Sequence, residues 1–248
     1  MTTFVIDLNN RMIASDSRLS VKVSDNLIIA VDTDEDKILV HNGLVFIFAG
    51  NGPTTFGWRD WILGETEKFP PFPPKNGHIG AIICAVNIST LDSEMVIGDE
   101  RIIIRDQERG LLIGGTGRKV AKEDWDKNQN AISSVQAAIN RDARTGGTIK
   151  YYDILTGKHN LTRPLHSVSN VRRMFRENSI VMYDLEGKKE LSAKSEAIRN
   201  QEVKNFLYNI GEKEKRDKLG LLETPSWPYE EKIKVEQTLR RLLPERFS

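Results

Sequence analysis

The sequence predicts a layered α+β sandwich over its first 154 residues. Short apolar runs rich in β-branched residues alternate with turn residues up to about residue 113, which is the pattern of short strands. A segment with helical spacing follows at about 118–145, and an apolar run at 148–154 is typical of a last strand. Strands, helix, strands, helices and strand in this order indicate sheets with helices packed on their faces.

A hairpin is predicted at the N-terminus. Its strands cover 3–8 and 11–15, and Asn9-Asn10 forms the turn, because asparagine tolerates the positive φ of a tight turn. Thr2 then begins the first strand and Asp16 ends the second. We therefore expect these two residues to lie close together.

The remaining elements of this part follow from the same two periodicities. The helical spacing is clearest at 131–144, and Gly146-Gly147 ends that helix. The other predicted strands lie at 26–31, 37–40, 44–48, 79–89, 93–98 and 101–105, and a short helix is predicted at 53–64.

The character of the chain changes at about residue 156, where charged residues begin to dominate. We therefore predict a core domain over 1–155 and a mostly helical C-terminal extension over 156–248. Helical patterns in the extension lie near 165–177, 190–218 and 228–243, and one strand is predicted at 178–184.

The bulk composition excludes several classes of protein. A formal net charge of +1 gives no reason to expect binding to nucleic acid or to a membrane surface. The single cysteine, Cys84, excludes an intramolecular disulfide framework and fits a reducing compartment. No apolar run approaches the ~20 residues of a membrane span, and no signal peptide is evident, so cytoplasm is expected. The four histidines are scattered without metal-ligand spacing, and we expect neither a metal nor a cofactor.

Thr2 is the first candidate for chemistry. Methionine before a small residue is commonly trimmed, which would leave threonine at the N-terminus. A free α-amine has a pKa near ~8 and lies within reach of its own residue's hydroxyl. One residue can then supply both the nucleophile and its base.

Three further residues fit this chemistry. Lys37 begins the second hairpin, and an ammonium group beside the Thr2 hydroxyl would favour its ionised form. Asp16 would keep that lysine charged and oriented. Gly50 follows the next strand, where a glycine lets a backbone N–H approach an oxyanion closely.

These residues belong to motifs that resemble a known family. The chain resembles proteasome β-subunits and bacterial proteasome-related peptidases, which are N-terminal nucleophile (Ntn) hydrolases. The motifs that carry the resemblance, over residues 2 to about 154, are Thr2-Thr3-Phe4-Val5, Ala14-Ser15-Asp16-Ser17-Arg18, Lys37 before a hairpin ending in Phe48-Ala49-Gly50, Ile113-Gly114-Gly115-Thr116-Gly117, and Arg141-Asp142-Ala143-Arg144-Thr145-Gly146-Gly147-Thr148-Ile149.

The resemblance implies an αββα sandwich and a role for each matching residue. Thr2 would be the nucleophile of a threonine peptidase, with Asp16 and Lys37 completing the catalytic set. The Gly50 N–H would be the oxyanion donor. The resemblance also implies two further groups: Thr116, Asp142 and Thr145 would orient the terminus and the catalytic water, and Arg18, Ser20 and Phe48 would shape the pocket for the substrate side chain.

The resemblance also implies partners. A peptide or unfolded protein would be the substrate, copies of the chain would form a ring or an open spiral, and an ATPase of the AAA type is a further expected partner. Two alternatives stay open. One is a catalytically inactive scaffold or binding subunit, because only one short helix fits after Gly50 where the family has two long ones. The other is an Ntn amidohydrolase that acts on a small amide.

Overall fold

The structure is a computed structural model that describes residues 2–24, 26–50, 52–70, 81–98, 100–162, 168–183, 189–218 and 227–247. Within these ranges the protein is α+β, with three antiparallel sheets and seven α-helices. The strands are β1 (Thr3–Asp7), β2 (Met12–Ser15), β3 (Leu19–Ser24), β4 (Leu27–Val31), β5 (Ile38–His41), β6 (Leu44–Gly50), β7 (Ala81–Asn87), β8 (Ser93–Ile97), β9 (Ile103–Asp106), β10 (Leu111–Gly115), β11 (Lys150–Asp153), β12 (Ile180–Tyr183) and β13 (Lys189–Ser192). The helices are α1 (Gly52–Ile62), α2 (Arg118–Asn128), α3 (Ala131–Arg141), α4 (Val168–Asn178), α5 (Ala193–Glu196), α6 (Gln201–Lys218) and α7 (Tyr229–Leu242).

Two of the sheets pack face to face. The first has the order β11-β2-β1-β10-β9, and the second has the order β5-β6-β7-β8. Alternate residues of a strand point to opposite faces. Phe4 and Ile6 of β1 therefore share one buried cluster with Ile47 and Ala49 of β6, which forms the core between the sheets.

Helices cover the outer faces of both sheets. Val5 of β1 packs with Val135 and Ala138 of α3 on the outside of the first sheet. Phe46 of β6 packs with Trp58 of α1, and Leu239 of α7 belongs to the same cluster on the outside of the second sheet. Each of these two sheets thus has helices packed against one of its faces.

The third sheet joins the two predicted parts of the chain. Its order is β13-β12-β4-β3, and β12 pairs with β4 from Ile180↔Ala30 to Tyr183↔Leu27. This pairing crosses the boundary expected at residue 155. The strand predicted at 178–184 corresponds to β12, whereas β13 and β3 were not predicted.

The first hairpin has a longer turn than the sequence predicted. Asp7 pairs with Met12, so four residues form the turn, and the positive φ of 54° falls on Arg11 rather than on an asparagine. The buried Asp7 carboxylate explains this shape, because it accepts hydrogen bonds from the Asn10 N–H at 3.0 Å and from the Trp125 indole at 2.6 Å.

Most other predicted elements agree with the structure within a few residues. The helical segment predicted at 118–145 is two helices, because Gln129 adopts φ 46° and Asn130 caps α3 by accepting from the Ser133 N–H. Asn42-Gly43 has positive φ at both residues, as a tight hairpin turn requires. Residues 79–80 of the predicted strand at 79–89 and residues 165–167 of the helix at 165–177 lie outside the described residues, as does Met1.

In the described part of the chain, the model contains no helix with both the length and the hydropathy needed to span a membrane.

Candidate active site

The peptide unit that joins Thr2 to Thr3 is held at both of its polar atoms. Its carbonyl oxygen accepts a hydrogen bond from the Thr116 N–H at 3.3 Å. Its N–H donates to Asp16 Oδ1 at 2.9 Å. Thr2 is buried, with 4% of its surface exposed. The backbone that carries Thr2 is therefore fixed from two sides.

Asp16 and Lys37 form a buried ion pair at this position. Lys37 Nζ lies 3.0 Å from Asp16 Oδ1, the same oxygen that accepts from Thr3, and it also donates to the Arg18 carbonyl at 2.7 Å. The other oxygen of Asp16 accepts from the Gly146 N–H at 3.0 Å. Both side chains are almost fully buried. The carboxylate thus accepts three hydrogen bonds, as a buried charge requires.

Strand pairing explains why these residues meet. Phe4 pairs with Ser15, so Asp16 comes to lie opposite Thr3, and the Asp16 N–H donates to the Thr3 carbonyl at 3.1 Å. Lys37 directly precedes β5, and its carbonyl accepts from the Phe48 N–H of β6 at 2.9 Å. The ends of two different sheets therefore face each other here.

Burial lowers the pKa of Lys37 from its ordinary value, and the charge of Asp16 acts in the opposite direction. Desolvation penalises the ammonium form, whereas a neighbouring carboxylate stabilises it. A lysine with a lowered pKa releases its proton more readily than a solvated one. These opposing effects meet at an Nζ atom that shares Asp16 Oδ1 with the Thr3 N–H.

A second carboxylate approaches from the other side. Asp142 Oδ2 accepts from the Thr116 hydroxyl at 2.6 Å and from the Thr145 hydroxyl at 2.7 Å. Thr145 Oγ1 is in turn 2.7 Å from Thr3 Oγ1. The structure thus brings Thr116, Asp142 and Thr145 together next to Thr3. They lie on the side where the Thr116 N–H binds the Thr2 carbonyl.

An acidic segment at residues 32–36 leads into Lys37 and is held by two buried cations. Arg18 forms a paired contact with Asp32, with Nε–Oδ1 at 2.6 Å and Nη2–Oδ2 at 2.8 Å. Lys150 Nζ lies 2.8 Å from Asp34 Oδ1 and 3.2 Å from Asp36 Oδ1. The backbone before Lys37 is therefore tied to the first sheet.

The predicted pocket role of Arg18 does not agree with these contacts. Its side chain is 8% exposed, and its guanidinium pairs with the carboxylate of Asp32 and donates to the Ala143 carbonyl at 2.8 Å. The guanidinium of Arg18 instead holds Asp32 of the acidic segment.

Ser20 and Phe48 also lie elsewhere than expected. Ser20 is 8% exposed and donates its hydroxyl to the Arg144 carbonyl at 3.2 Å. Phe48 is buried in the cluster on the α1 side of β6 and stacks near Phe46. Because neighbouring residues of β6 alternate between faces, Phe48 points away from the first sheet, and Ala49 points toward it.

Gly50 ends β6 with φ 104°, a conformation that side chains of other residues rarely allow. It is exposed and lies two residues beyond Phe48, whose N–H binds the Lys37 carbonyl. A glycine with an unusual backbone conformation thus lies at the end of the sheet at which Lys37 precedes β5.

The sequence did not single out Thr3, although Thr3 binds the Asp16 carboxylate directly and contacts Thr145, which binds the Asp142 carboxylate. It is fully buried, its N–H binds Asp16, and its hydroxyl contacts Thr145. The available signal was its position directly after Thr2 in a strand whose other residues are apolar up to Asp7.

A cavity of about 520 Å³ lies beside this site, between the acidic segment and α4. Asp32, Glu35, Thr148 and Arg173 are among the residues that line it. None of the described residues that line the cavity is one of the predicted catalytic residues. Across the described ranges, no group of three or more His, Cys, Asp or Glu side chains could hold a metal ion.

The likenesses of this chain to known proteins come from solved structures. No family model and no curated protein matches the chain. Among 66 matching chains in solved structures is BPH from Thiobacillus denitrificans in complex with epoxomicin, at 10% identity and a TM-score of 0.38. The match covers 61% of this chain and 96% of that chain.

Proposed function

We propose that this chain is an Ntn hydrolase with an αββα sandwich, and that it hydrolyses peptide bonds through Thr2 after removal of Met1. The observation that carries the proposal is the doubly held peptide unit after Thr2. Its N–H is bound by the carboxylate that pairs with Lys37, and its carbonyl is bound by Thr116, whose hydroxyl binds Asp142. Three ionisable groups, Asp16, Lys37 and Asp142, and their partners thus lie around the peptide unit that follows the proposed nucleophile.

In the first step the Thr2 hydroxyl attacks the substrate carbonyl carbon. Its proton passes to the neutral Thr2 α-amine, and Lys37, which Asp16 keeps charged, favours the ionised form of the hydroxyl. The Gly50 N–H stabilises the negative charge that forms on the carbonyl oxygen. The C–N bond then breaks, the amine product takes the proton, and an ester to Thr2 remains.

In the second step water hydrolyses the ester. A water molecule attacks the ester carbonyl and gives its proton to the same amine. The bond to Thr2 Oγ1 breaks, the hydroxyl regains a proton, and the acid product leaves. Asp142 and Thr145 would orient the α-amine and this water, while Asp16 keeps Lys37 in place.

The test uses an electrophile that reacts with an N-terminal threonine. The protein is purified, its Thr2 N-terminus is verified by mass spectrometry, and it is incubated with a peptide epoxyketone. We expect one covalent adduct that maps to Thr2, and none on Thr2→Ala. Thr90→Ala, in an exposed turn, is the matched control and should react as the wild type does. Correctly processed protein that forms no adduct would overturn the proposal.

Cys84 should not compete for the electrophile. It is fully buried, and burial raises the pKa of its thiol to about 12. The thiolate is the reactive form of cysteine, so this residue is inert in the folded protein at neutral pH.

The burial of Thr2 favours two alternative functions. A side chain with 4% exposure suits a small amide better than a polypeptide, and it also suits a scaffold that performs no hydrolysis. Reaction with a small amide substrate but not with peptides would support the first alternative. Native protein that retains Met1 and binds peptides without cleaving them would support the second.

The proposed assembly follows from the resemblance to proteasome β-subunits. A ring or open spiral of identical chains would enclose the substrate, and an AAA-type ATPase would deliver unfolded protein. Native mass spectrometry measures the number of chains in the assembly, and a monomer at micromolar concentration would contradict this part of the proposal.

A further inference from the structure

Thr3 contacts residues of both halves of the proposed site. Its backbone N–H donates to Asp16, which pairs with Lys37. Its side-chain hydroxyl contacts Thr145, which binds Asp142. The residue is fully buried, so none of these bonds competes with solvent.

The direction of the hydrogen bonds in this chain follows from the number of hydrogens available. A carboxylate only accepts, so the single hydroxyl hydrogen of Thr145 is used at Asp142. The contact of 2.7 Å between the two threonine hydroxyls is therefore donated by Thr3. Thr3 Oγ1 in turn accepts from the Gly117 N–H at 2.9 Å. The hydroxyl of Thr3 thus has one donor and one acceptor at fixed positions.

The surrounding packing leaves this hydroxyl little freedom. A Cβ atom added to Gly117 would lie 2.6 Å from Thr3 Oγ1 and 3.0 Å from Thr145 Oγ1. The Gly117 backbone therefore closes the space around both hydroxyls. A rotation of the Thr3 side chain would leave the buried Gly117 N–H without its acceptor, which is costly.

We propose that Thr3 is a positioning residue that fixes Thr2 between the Asp16–Lys37 pair and the Asp142 carboxylate. This inference rests on the proposed function of Thr2. Because Thr2 and Thr3 share a peptide bond, fixing the backbone and side chain of Thr3 fixes the Cα atom of Thr2. Small displacements of a nucleophile reduce the rate strongly, so a residue that holds its neighbour in place affects catalysis without touching the substrate.

The test compares Thr3→Val with Thr3→Ser. Valine has nearly the same shape and lacks the hydroxyl, whereas serine keeps the hydroxyl. The readout is covalent labelling of Thr2 by a peptide epoxyketone, separated into the maximal rate of inactivation and the concentration for half-maximal rate. We expect Thr3→Val to lower the maximal rate at least about tenfold with little change in that concentration, and Thr3→Ser to keep the rate within about threefold.

The control is Ser134→Ala, which removes a buried hydroxyl that donates to the Asn130 carbonyl in α3. It should lower the thermal midpoint without lowering the labelling rate. If Thr3→Val does not fold, Thr3→Ala is compared with Thr3→Ser in its place. If Thr2 is labelled equally fast in the wild type and in the variant without the Thr3 hydroxyl, only the inference about Thr3 is overturned. Wild-type protein that does not label overturns the proposed function itself.

Discussion

Gly115 lies so close to Thr2 that a Cβ atom at residue 115 would be 1.5 Å from the Thr2 carbonyl oxygen. Gly115 ends β10, pairs with Thr3, and has φ 96°. The next residue, Thr116, donates its N–H to the same carbonyl oxygen. The close approach of the glycine backbone is therefore what allows β10 to hold the start of the chain.

Replacing Gly115 by alanine should disrupt the Thr2 end of the site. The added methyl group must displace the Thr2 carbonyl, and the backbone conformation costs about 1–3 kcal/mol for a residue with a side chain. Gly157→Ala is the matched control, since it also has positive φ, at 70°, but nothing lies within 4 Å of its Cβ. We expect Gly157→Ala to lose about 1 kcal/mol in chemical denaturation and to keep its reaction with the epoxyketone. Equal behaviour of the two variants would contradict this explanation.

Asp16→Asn should destabilise the protein and abolish the reaction at Thr2. The carboxylate accepts from three donors, whereas an asparagine offers one oxygen and places an NH2 group against another donor. It also leaves the Lys37 ammonium buried without a counter-charge. We expect a loss of about 3 kcal/mol or more in the free energy of unfolding, measured with guanidinium chloride.

Asp126→Asn provides the comparison for that measurement. Asp126 pairs with Lys122 on the surface, where its side chain is 42% exposed. Exposed pairs of this kind contribute less than about 1 kcal/mol. A similar loss in both variants would show that the Asp16–Lys37 pair has no special importance for stability.

Lys37→Met should change how stability depends on pH. Burial lowers the pKa of Lys37 in the folded state below the value of 10.5 of an ordinary lysine. Between these two pKa values the unfolded chain binds more protons than the folded chain. The contribution of this lysine to the free energy of unfolding therefore increases as pH rises through that window to about 10.5, and it decreases as pH falls through the same window. The methionine variant lacks this contribution.

The measurement is the difference in unfolding free energy between wild type and Lys37→Met, determined by urea denaturation at several pH values up to 10.5. We expect this difference to shift in favour of the wild type as pH rises. A difference that shifts toward the methionine variant at high pH would mean that the ammonium form is favoured in the folded state.

Lys150→Met should weaken the anchor of the acidic segment that precedes Lys37. Lys150 is buried and pairs with Asp34 and with the buried Asp36. Without the ammonium the charge of Asp36 loses a close partner, so we expect a loss of about 3 kcal/mol or more and slower labelling of Thr2. Lys158→Met, at an exposed lysine nearby in sequence, should have little effect on either measurement.

The local elements were predictable because they depend on patterns of neighbouring residues. The hairpin strands predicted at 37–40 and 44–48 and the strand at β12 follow from periodicity, whereas α3 ends at Arg141, before the predicted end at Gly146-Gly147. The first hairpin turn was predicted too short, because a buried Asp7 that binds Asn10 and Trp125 decides its shape. Trp125 is 118 residues away in sequence, and a local pattern carries no information about it.

The candidate site shows the same division. The meeting of Thr2, Asp16 and Lys37 was expected from strand ends, and the structure brings Asp16 and Lys37 together next to the Thr2–Thr3 peptide unit. Arg18, which was expected in the pocket, instead pairs with Asp32. Asp32 belongs to the acidic segment, whose position depends on how the sheets pack. The residue types alone could not distinguish a cation that faces a substrate from one that holds a loop.

The sequence by itself determined the succession of strands and helices and the presence of a threonine at position 2, a lysine and two aspartates at the ends of predicted elements. Only the tertiary structure decided which donors each carboxylate binds, how deeply Thr2 is buried, and that Thr3 lies between Asp16 and Thr145. These properties depend on distances between strands of different sheets. Those distances are set by the packing of side chains that are far apart along the chain, which no local pattern encodes.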